Sequence, residues 1–105
     1  MSDFCVILCT CPNTSVARDI AYRAVEAQLA ACVNIIPGIV SVYKWEDKIQ
    51  QDQECQLVIK TKKALEKELR DSLFEVHSYN LPEWVVLDIT DASEDYADWI
   101  RKSVK

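Results

Sequence analysis

A long stretch of alternating residues, positions 33–62, most constrains how this chain can fold. Val33 to Trp45 is rich in valine, isoleucine, tyrosine and tryptophan, which favour a pleated, half-buried strand. From Ile39 onward the side chains are expected to point alternately to two faces, so that Tyr43 and Trp45 share one face. After a polar turn at positions 46–48, a second strand alternates in the same way through positions 54–61. The stretch therefore predicts a long β-hairpin.

The predicted hairpin is longer than the globule that carries it. At about 3.3 Å per residue, the strand over positions 33–45 would be ~40 Å long, whereas a compact chain of this size has a radius of gyration of about 13 Å. The tip, with Tyr43 and Trp45, is expected to project and to dock on another copy of the chain, because exposed apolar edges invite pairing. The alternative is that Pro37 and Gly38 break the strand and fold the tip back.

Composition excludes several classes of protein. A chain of 105 residues is expected to form one domain, positions 1–105. The net charge of −5 argues against nucleic acid or an anionic membrane as partner. The 5 cysteines without a secretion signal indicate free thiols and a cytoplasmic location. The 1 glycine leaves no glycine-rich loop for phosphate.

The order of predicted elements indicates the fold. The chain reads as a strand at 4–11, a helix at 15–30, the hairpin, a helix at 64–76, a strand at 84–90 and a last short helix. In that helix we expect a capping box at Asp91 and Glu94, with Tyr96, Trp99 and Ile100 facing inward. We predict an α+β fold, a ferredoxin-like β-α-β-β-α-β sandwich with a long β2-β3 hairpin and a short C-terminal helix.

This topology brings soft metal ligands to one edge of the sheet. The first strand ends where the second helix also ends and the last strand begins, so Cys9, His77 and Glu83 are expected near the hairpin tip. A thiol and an imidazole are ligands that copper and zinc prefer. The alternatives are that His77 is a loop histidine bound to a backbone carbonyl and that Cys9 is a small core hydrophobe.

Glu83 has three possible roles at this edge: to bind a cation, to orient His77, or to pair with Lys60. The sequence contains no Ser-His-Asp or Cys-His-Asp arrangement and no identifiable acid–base pair of carboxylates. We therefore predict a protein that is not an enzyme and has no organic cofactor.

Several segments resemble the CutA1 divalent-cation tolerance family. The residues from Ala31 to Trp45 are similar to the family signature. Leu8-Cys9-Thr10, Ile59-Lys60-Thr61 and the segment from His77 to Glu83 fit the same pattern in the same order. The resemblance covers essentially the whole chain.

The resemblance implies a ferredoxin-like protomer in a tight homotrimer, similar in design to the PII signalling proteins, that binds copper in the cytoplasm. The copper ligands proposed for bacterial relatives are the cysteine of the Leu-Cys-Thr motif and two adjacent histidines. Cys9 and His77 match two of them, and Val76 stands in place of the other histidine. Asp47 stands where the hairpin turn usually has glycine, and Asp tolerates the left-handed backbone that such a turn requires.

We expect, on these grounds, a homotrimer that binds copper, and other divalent cations such as zinc, and takes part in tolerance of metal ions. Cys9 and His77 are the expected ligands, and Glu83 is a supplementary carboxylate. The alternative is a PII-like signalling or scaffold trimer that binds a small metabolite or a protein in inter-subunit clefts. These clefts would be lined by Tyr43, Trp45, Lys60 and Glu83.

Overall fold

The computed structural model describes residues 3–105 as a four-stranded antiparallel sheet with three helices. The elements are β1 (Phe4–Cys11), α1 (Thr14–Glu26), β2 (Cys32–Trp45), β3 (Lys48–Lys62), a 3-10 turn (Lys63–Leu65), α2 (Glu66–Phe74), β4 (Val85–Asp88) and α3 (Glu94–Ser103). The strand order across the sheet is β2-β3-β1-β4. The predicted α+β class and the order of elements are confirmed, whereas both longer helices end earlier than predicted. Within residues 3–105, no helix is long and apolar enough to cross a membrane.

The long hairpin is continuous to its tip. Pairing of β2 with β3 continues to the last pair, Trp45 with Lys48. At Pro37 and Gly38 the register shifts by a bulge, and the positive φ of +73° at Gly38 accommodates it. The long axis of the molecule is 45 Å against 25 and 22 Å for the others. The strand is therefore bulged, not broken, and the tip does not fold back.

The turn of the hairpin is built from two left-handed residues. Glu46 has a φ of 50° and Asp47 a φ of 64°. Two positive φ values in succession are typical of the two-residue turn whose twist matches that of the strands. The expectation that Asp47 takes the left-handed conformation is confirmed.

Helices α1 and α2 cover one face of the sheet, and the main core lies between these helices and the strands. The small residues Ala17 and Ala24 let α1 lie close to the strands. The core side chains of the sheet come from alternate positions of β1 and β3: Cys5, Ile7, Cys9, Cys11, Cys55, Leu57 and Ile59. All five cysteines of the chain are free thiols, as predicted. We call this side of the sheet the covered face.

The opposite side of the sheet, which we call the open face, is only partly covered. Helix α3 packs at one end of it, where Ile100 contacts Phe4. Farther along, Leu8 and Val58 are half-buried and Leu87 is exposed. These positions alternate with the core residues of the same strands, so an apolar surface remains on the outside of the protomer.

Helix α3 differs from the prediction in its cap and its buried stripe. Ser93, not Asp91, is the N-cap, and its Oγ accepts a hydrogen bond from the Tyr96 N–H. The predicted inward position of Tyr96 and Trp99 is wrong, because they are 40% and 46% exposed with their ring centroids 5.4 Å apart. Ile100 is buried, as predicted, and Ala97 is the other buried residue of the helix. Each lies one residue, or about 100° of helix rotation, beyond its aromatic neighbour.

Candidate functional site

Cys9 and His77 meet at one backbone carbonyl, beyond the end of the β1–β4 ladder. The last pair of that ladder is Leu8 with Val85, and β1 continues past it to Cys11. His77 follows α2, and its Nε2 lies 2.8 Å from the carbonyl oxygen of Thr10. The Sγ of Cys9 lies 3.8 Å from the same oxygen. Residues 67 positions apart in the chain, Thr10 and His77, are thereby joined at this edge.

The hydrogen bonds of His77 define its tautomer. Nδ1 accepts a hydrogen bond from the Tyr79 N–H at 3.0 Å, so the ring proton is assigned to Nε2, which donates to the Thr10 carbonyl. This is the loop histidine bound to a backbone carbonyl that the sequence left open as an alternative. A metal could bind the ring only after one of these two hydrogen bonds opens.

The Cys9 thiol is a buried neutral group. Burial, together with the smaller influence of the nearby Cys11 and Glu83, raises the pKa of Cys9 to about 12. Cys9 is therefore protonated at neutral pH. A metal that binds its sulfur must displace this proton, since the thiolate is the form that coordinates.

Glu83 lies at the same edge. Partial burial is the main cause that raises the pKa of its carboxyl, and the charge of Glu54 adds to it. Its own charge acts on Cys9, so these two predicted site residues are close enough to interact electrostatically. The suggested partner Lys60 instead donates a hydrogen bond to Asn34. Of the roles open to Glu83, pairing with Lys60 is the one that the structure contradicts.

Cys9, His77 and Glu83 have the chemistry of ligands for a soft metal, but their arrangement in one protomer does not form a complete site. Thiol, imidazole and carboxylate are ligands that zinc and copper accept. Across residues 3–105, however, His, Cys, Asp and Glu side chains form no group of three or more that could hold a metal ion. Val76, at the position where the resemblance implied a further histidine, is exposed. One protomer in this conformation does not close a three-ligand site.

A cleft of about 880 Å³ adjoins this edge on the open face. It lies between the hairpin tip and the loop of residues 78–83, and its lining includes Tyr43, Trp45 and Glu83. Two tyrosine hydroxyls donate to carboxylates in its wall: Tyr43 to Asp52, and Tyr79 to Glu54 at 2.7 Å. The cleft is thus both aromatic and acidic.

Lys60 does not share this cleft within the protomer. It pairs with Cys32 at one end of the hairpin, whereas Tyr43 pairs with Gln50 near the other end. Ten positions of an extended strand separate Gln50 from Lys60, so a cleft that Lys60 shares with Tyr43 and Trp45 would have to form between subunits, and it stays a prediction.

The sequence analysis missed the acidic wall of the cleft. Asp52 and Glu54 occupy alternate positions of β3 and pair with Ser41 and Ile39, on the face that carries Tyr43. The strict alternation of β3 would have placed both carboxylates beside the predicted aromatics. Tyr79 had no such signal, because a loop conformation brings its hydroxyl to Glu54.

Comparison with known proteins gives a consistent result over nearly the whole chain. Residues 5–103 match the family model described as CutA1 divalent ion tolerance protein. The divalent-cation tolerance protein CutA of Thermus thermophilus is 42% identical over 98 residues, which are 93% of this chain and 95% of the relative. The chloroplastic protein CutA of Arabidopsis thaliana is 42% identical over 95% of this chain and 55% of its own length.

The fold agrees with a solved structure of the same kind. The crystal structure of CutA1 from Oryza sativa superposes with a TM-score of 0.96 at 38% identity, and covers 99% of this chain and 95% of the rice chain. The family model and the Thermus relative are named for divalent ions or cations. The metabolite-binding alternative therefore gains no support from these comparisons.

Proposed function

The chain belongs to the CutA1 divalent ion tolerance protein family, and from this premise we propose that it binds copper and other soft divalent cations such as zinc. In this proposal it is a cytoplasmic protein that contributes to tolerance of metal ions by binding them rather than by catalysis. Its protomer is a ferredoxin-like sandwich and its working form is a homotrimer.

One observation carries the metal proposal: Cys9 and His77 converge on the Thr10 carbonyl, with Glu83 close enough to act on Cys9. The thiol and the imidazole would be the ligands, and Glu83 would supply a third donor or a nearby negative charge. Binding at Nε2 would require the ring proton to move from Nε2 to Nδ1, so that the Thr10 bond gives way to the metal and the Tyr79 N–H loses its acceptor. The shared carbonyl holds both ligand side chains near one point, so this exchange needs only a local rearrangement.

The open face and the hairpin tip support the trimer. Leu8, Val58 and Leu87 form an apolar surface that helix α3 covers only at one end. The tip also exposes large side chains such as Val42 and Ile49. Contiguous exposed apolar surface of this kind is typical of an interface with another protein chain.

The metal proposal can be tested by titration of the reduced, metal-free protein with Zn(II) and Cu(II). We expect a fixed ratio of metal per chain. Cys9→Ala and His77→Ala should each weaken binding at least about tenfold, or ~1.4 kcal/mol, and Glu83→Gln should have a smaller effect. Because a bound metal would replace the Thr10 bond of His77, the ring resonances of His77 in an NMR spectrum should shift on loading.

Cys5→Ala is the matched control for this experiment. Cys5 lies in the same strand, faces the same core and is equally buried. It is near the start of β1, however, whereas His77 contacts the other end of that strand at Thr10. Binding that is non-stoichiometric, or that neither Cys9→Ala nor His77→Ala weakens, would reject this pair as the metal site.

A further inference from the structure

Two further cysteines face each other across neighbouring strands. In the antiparallel pairing of β1 with β3, Cys11 is directly opposite Cys55. Both belong to the core of the covered face. The other cysteines have no such partner: Cys5 is opposite Thr61, and Cys9 is opposite Leu57. The remaining one, Cys32, pairs with Lys60 on the open face.

The register places two sulfur atoms within reach of one ion. Directly opposed residues of an antiparallel pair have Cβ atoms about 4.5–5.5 Å apart, and their side chains leave the sheet on the same face. In agreement with this proximity, the electrostatic influence of Cys55 acts on the Cys11 thiol. Two thiols that project side by side from a rigid sheet form a preorganised pair of soft donors.

From this pair we propose a second metal site: Cys11 and Cys55 bind one soft monovalent metal ion, of the type of Cu(I), between their sulfur atoms. Soft thiolate donors select Cu(I). Binding releases the two thiol protons, so that two thiolates and one monovalent cation leave a single negative charge on the site. No change of oxidation state is involved, and the site does not rest on the proposed function of Cys9 and His77.

The position of Cys11 provides access to this site from the surface. Cys11 is the last residue of β1, and its Sγ lies 3.6 Å from the carbonyl oxygen of Asn13. Asn13 is exposed and caps helix α1 through its side chain. The short β1–α1 connection therefore lies over Cys11, and local opening of that connection would admit an ion.

The test is a Cu(I) titration of the full chain, anaerobic and with reductant, in competition with a Cu(I)-specific chelator. We expect one tightly held Cu(I) per chain, with X-ray absorption that reports two sulfur ligands. Cys11→Ala and Cys55→Ala should each weaken this binding by more than about 100-fold, because loss of a direct ligand exceeds the 10–100-fold effect of residues that only orient ligands. Circular dichroism and light scattering of each variant verify that fold and assembly are kept.

Two single-cysteine controls make the result specific. Cys5→Ala removes an equally buried thiol from the same face of β1 and should leave Cu(I) binding unchanged. Cys9→Ala should reduce the binding of Zn(II) or Cu(II) while it spares the Cu(I) site, so the two metal proposals can fail separately. Cu(I) binding that survives in folded Cys11→Ala and Cys55→Ala, or that the wild-type chain lacks, would overturn this site.

Discussion

The two faces of the sheet are formed by the same strands but differ in how completely they are buried. On the covered face, Leu57 and Ile59 are fully buried beneath α1 and α2. On the open face, the intervening Val58 of the same strand is half-buried, and Leu87 of β4 is 46% exposed. The alternation of β-strands distributes apolar side chains to both faces, but the helices complete the core on only one.

The contrast shows which part of the fold one chain completes by itself. Burial of the covered face requires nothing outside the protomer. The open face keeps apolar side chains in contact with solvent, and the surface lost from water when copies associate would stabilise an oligomer. The covered face should therefore determine whether the protomer folds, and the open face should determine whether protomers associate.

The largest effect on stability is expected when a buried side chain of the covered face is made smaller. Leu57→Ala should lower the free energy of unfolding by about 2–5 kcal/mol, because it leaves a cavity in a close-packed core. The neighbouring Val58→Ala should cost less, and its cost should depend on protein concentration, because association contributes to it. Chemical denaturation at two protein concentrations measures both. Equal, concentration-independent losses would contradict the division between the faces.

A charge on the open face should separate the protomers without unfolding them. For the wild-type chain of 12.0 kDa, light scattering should give three times this mass. Leu87→Lys should reduce the value to that of one chain, since a charge cannot be buried unpaired in an apolar interface. Val86→Lys is the matched control, because Val86 is 39% exposed in the same strand but faces the other way. A wild-type monomer would reject the trimer.

The smallest effect on stability is expected at Glu83, which lies at the sheet edge beside Cys9 and His77. The pKa of Glu83 is raised in the folded chain by partial burial and by Glu54, so the folded state holds this proton more tightly than the unfolded state. Stability should therefore fall as pH rises from the ordinary glutamate pKa through the raised one. At neutral pH Glu83→Gln should stabilise the protein by well under about 1 kcal/mol, because solvent screens this site.

The internal control for Glu83→Gln is the measurement below the ordinary glutamate pKa. At that pH the wild-type Glu83 carboxyl is protonated in both the folded and the unfolded chain. The difference in stability between wild type and variant that comes from its charge should therefore vanish. A gain in stability that is the same at all pH values would mean that packing, and not the carboxylate charge, is responsible.

Much of the fold was predictable because it depends on local patterns. The apolar run of Phe4–Cys11 gave the correct bounds of β1, and alternation gave the hairpin and the face that Tyr43 and Trp45 share. The errors occurred where two elements meet. The outward position of Trp99 depends on how α3 packs at one end of the open face.

The candidate site was predictable only as a set of residues at one edge. Topology alone indicated that Cys9, His77 and Glu83 belong together, because the ends of β1 and α2 and the start of β4 coincide. The details required tertiary contacts. The β1–β4 ladder stops at Leu8, which leaves the Thr10 carbonyl free to accept the hydrogen bond from His77.

The sequence by itself determined the elements, their order and the family, since side-chain alternation, turn residues and motif spacing are properties of neighbouring positions. Only the tertiary structure decided the partners of each functional group. It directed both nitrogens of His77 to backbone atoms, set Cys11 opposite Cys55 and left one apolar face of the sheet open. The physical reason is that register and docking depend on the free energy of the whole packed chain, which no local segment contains.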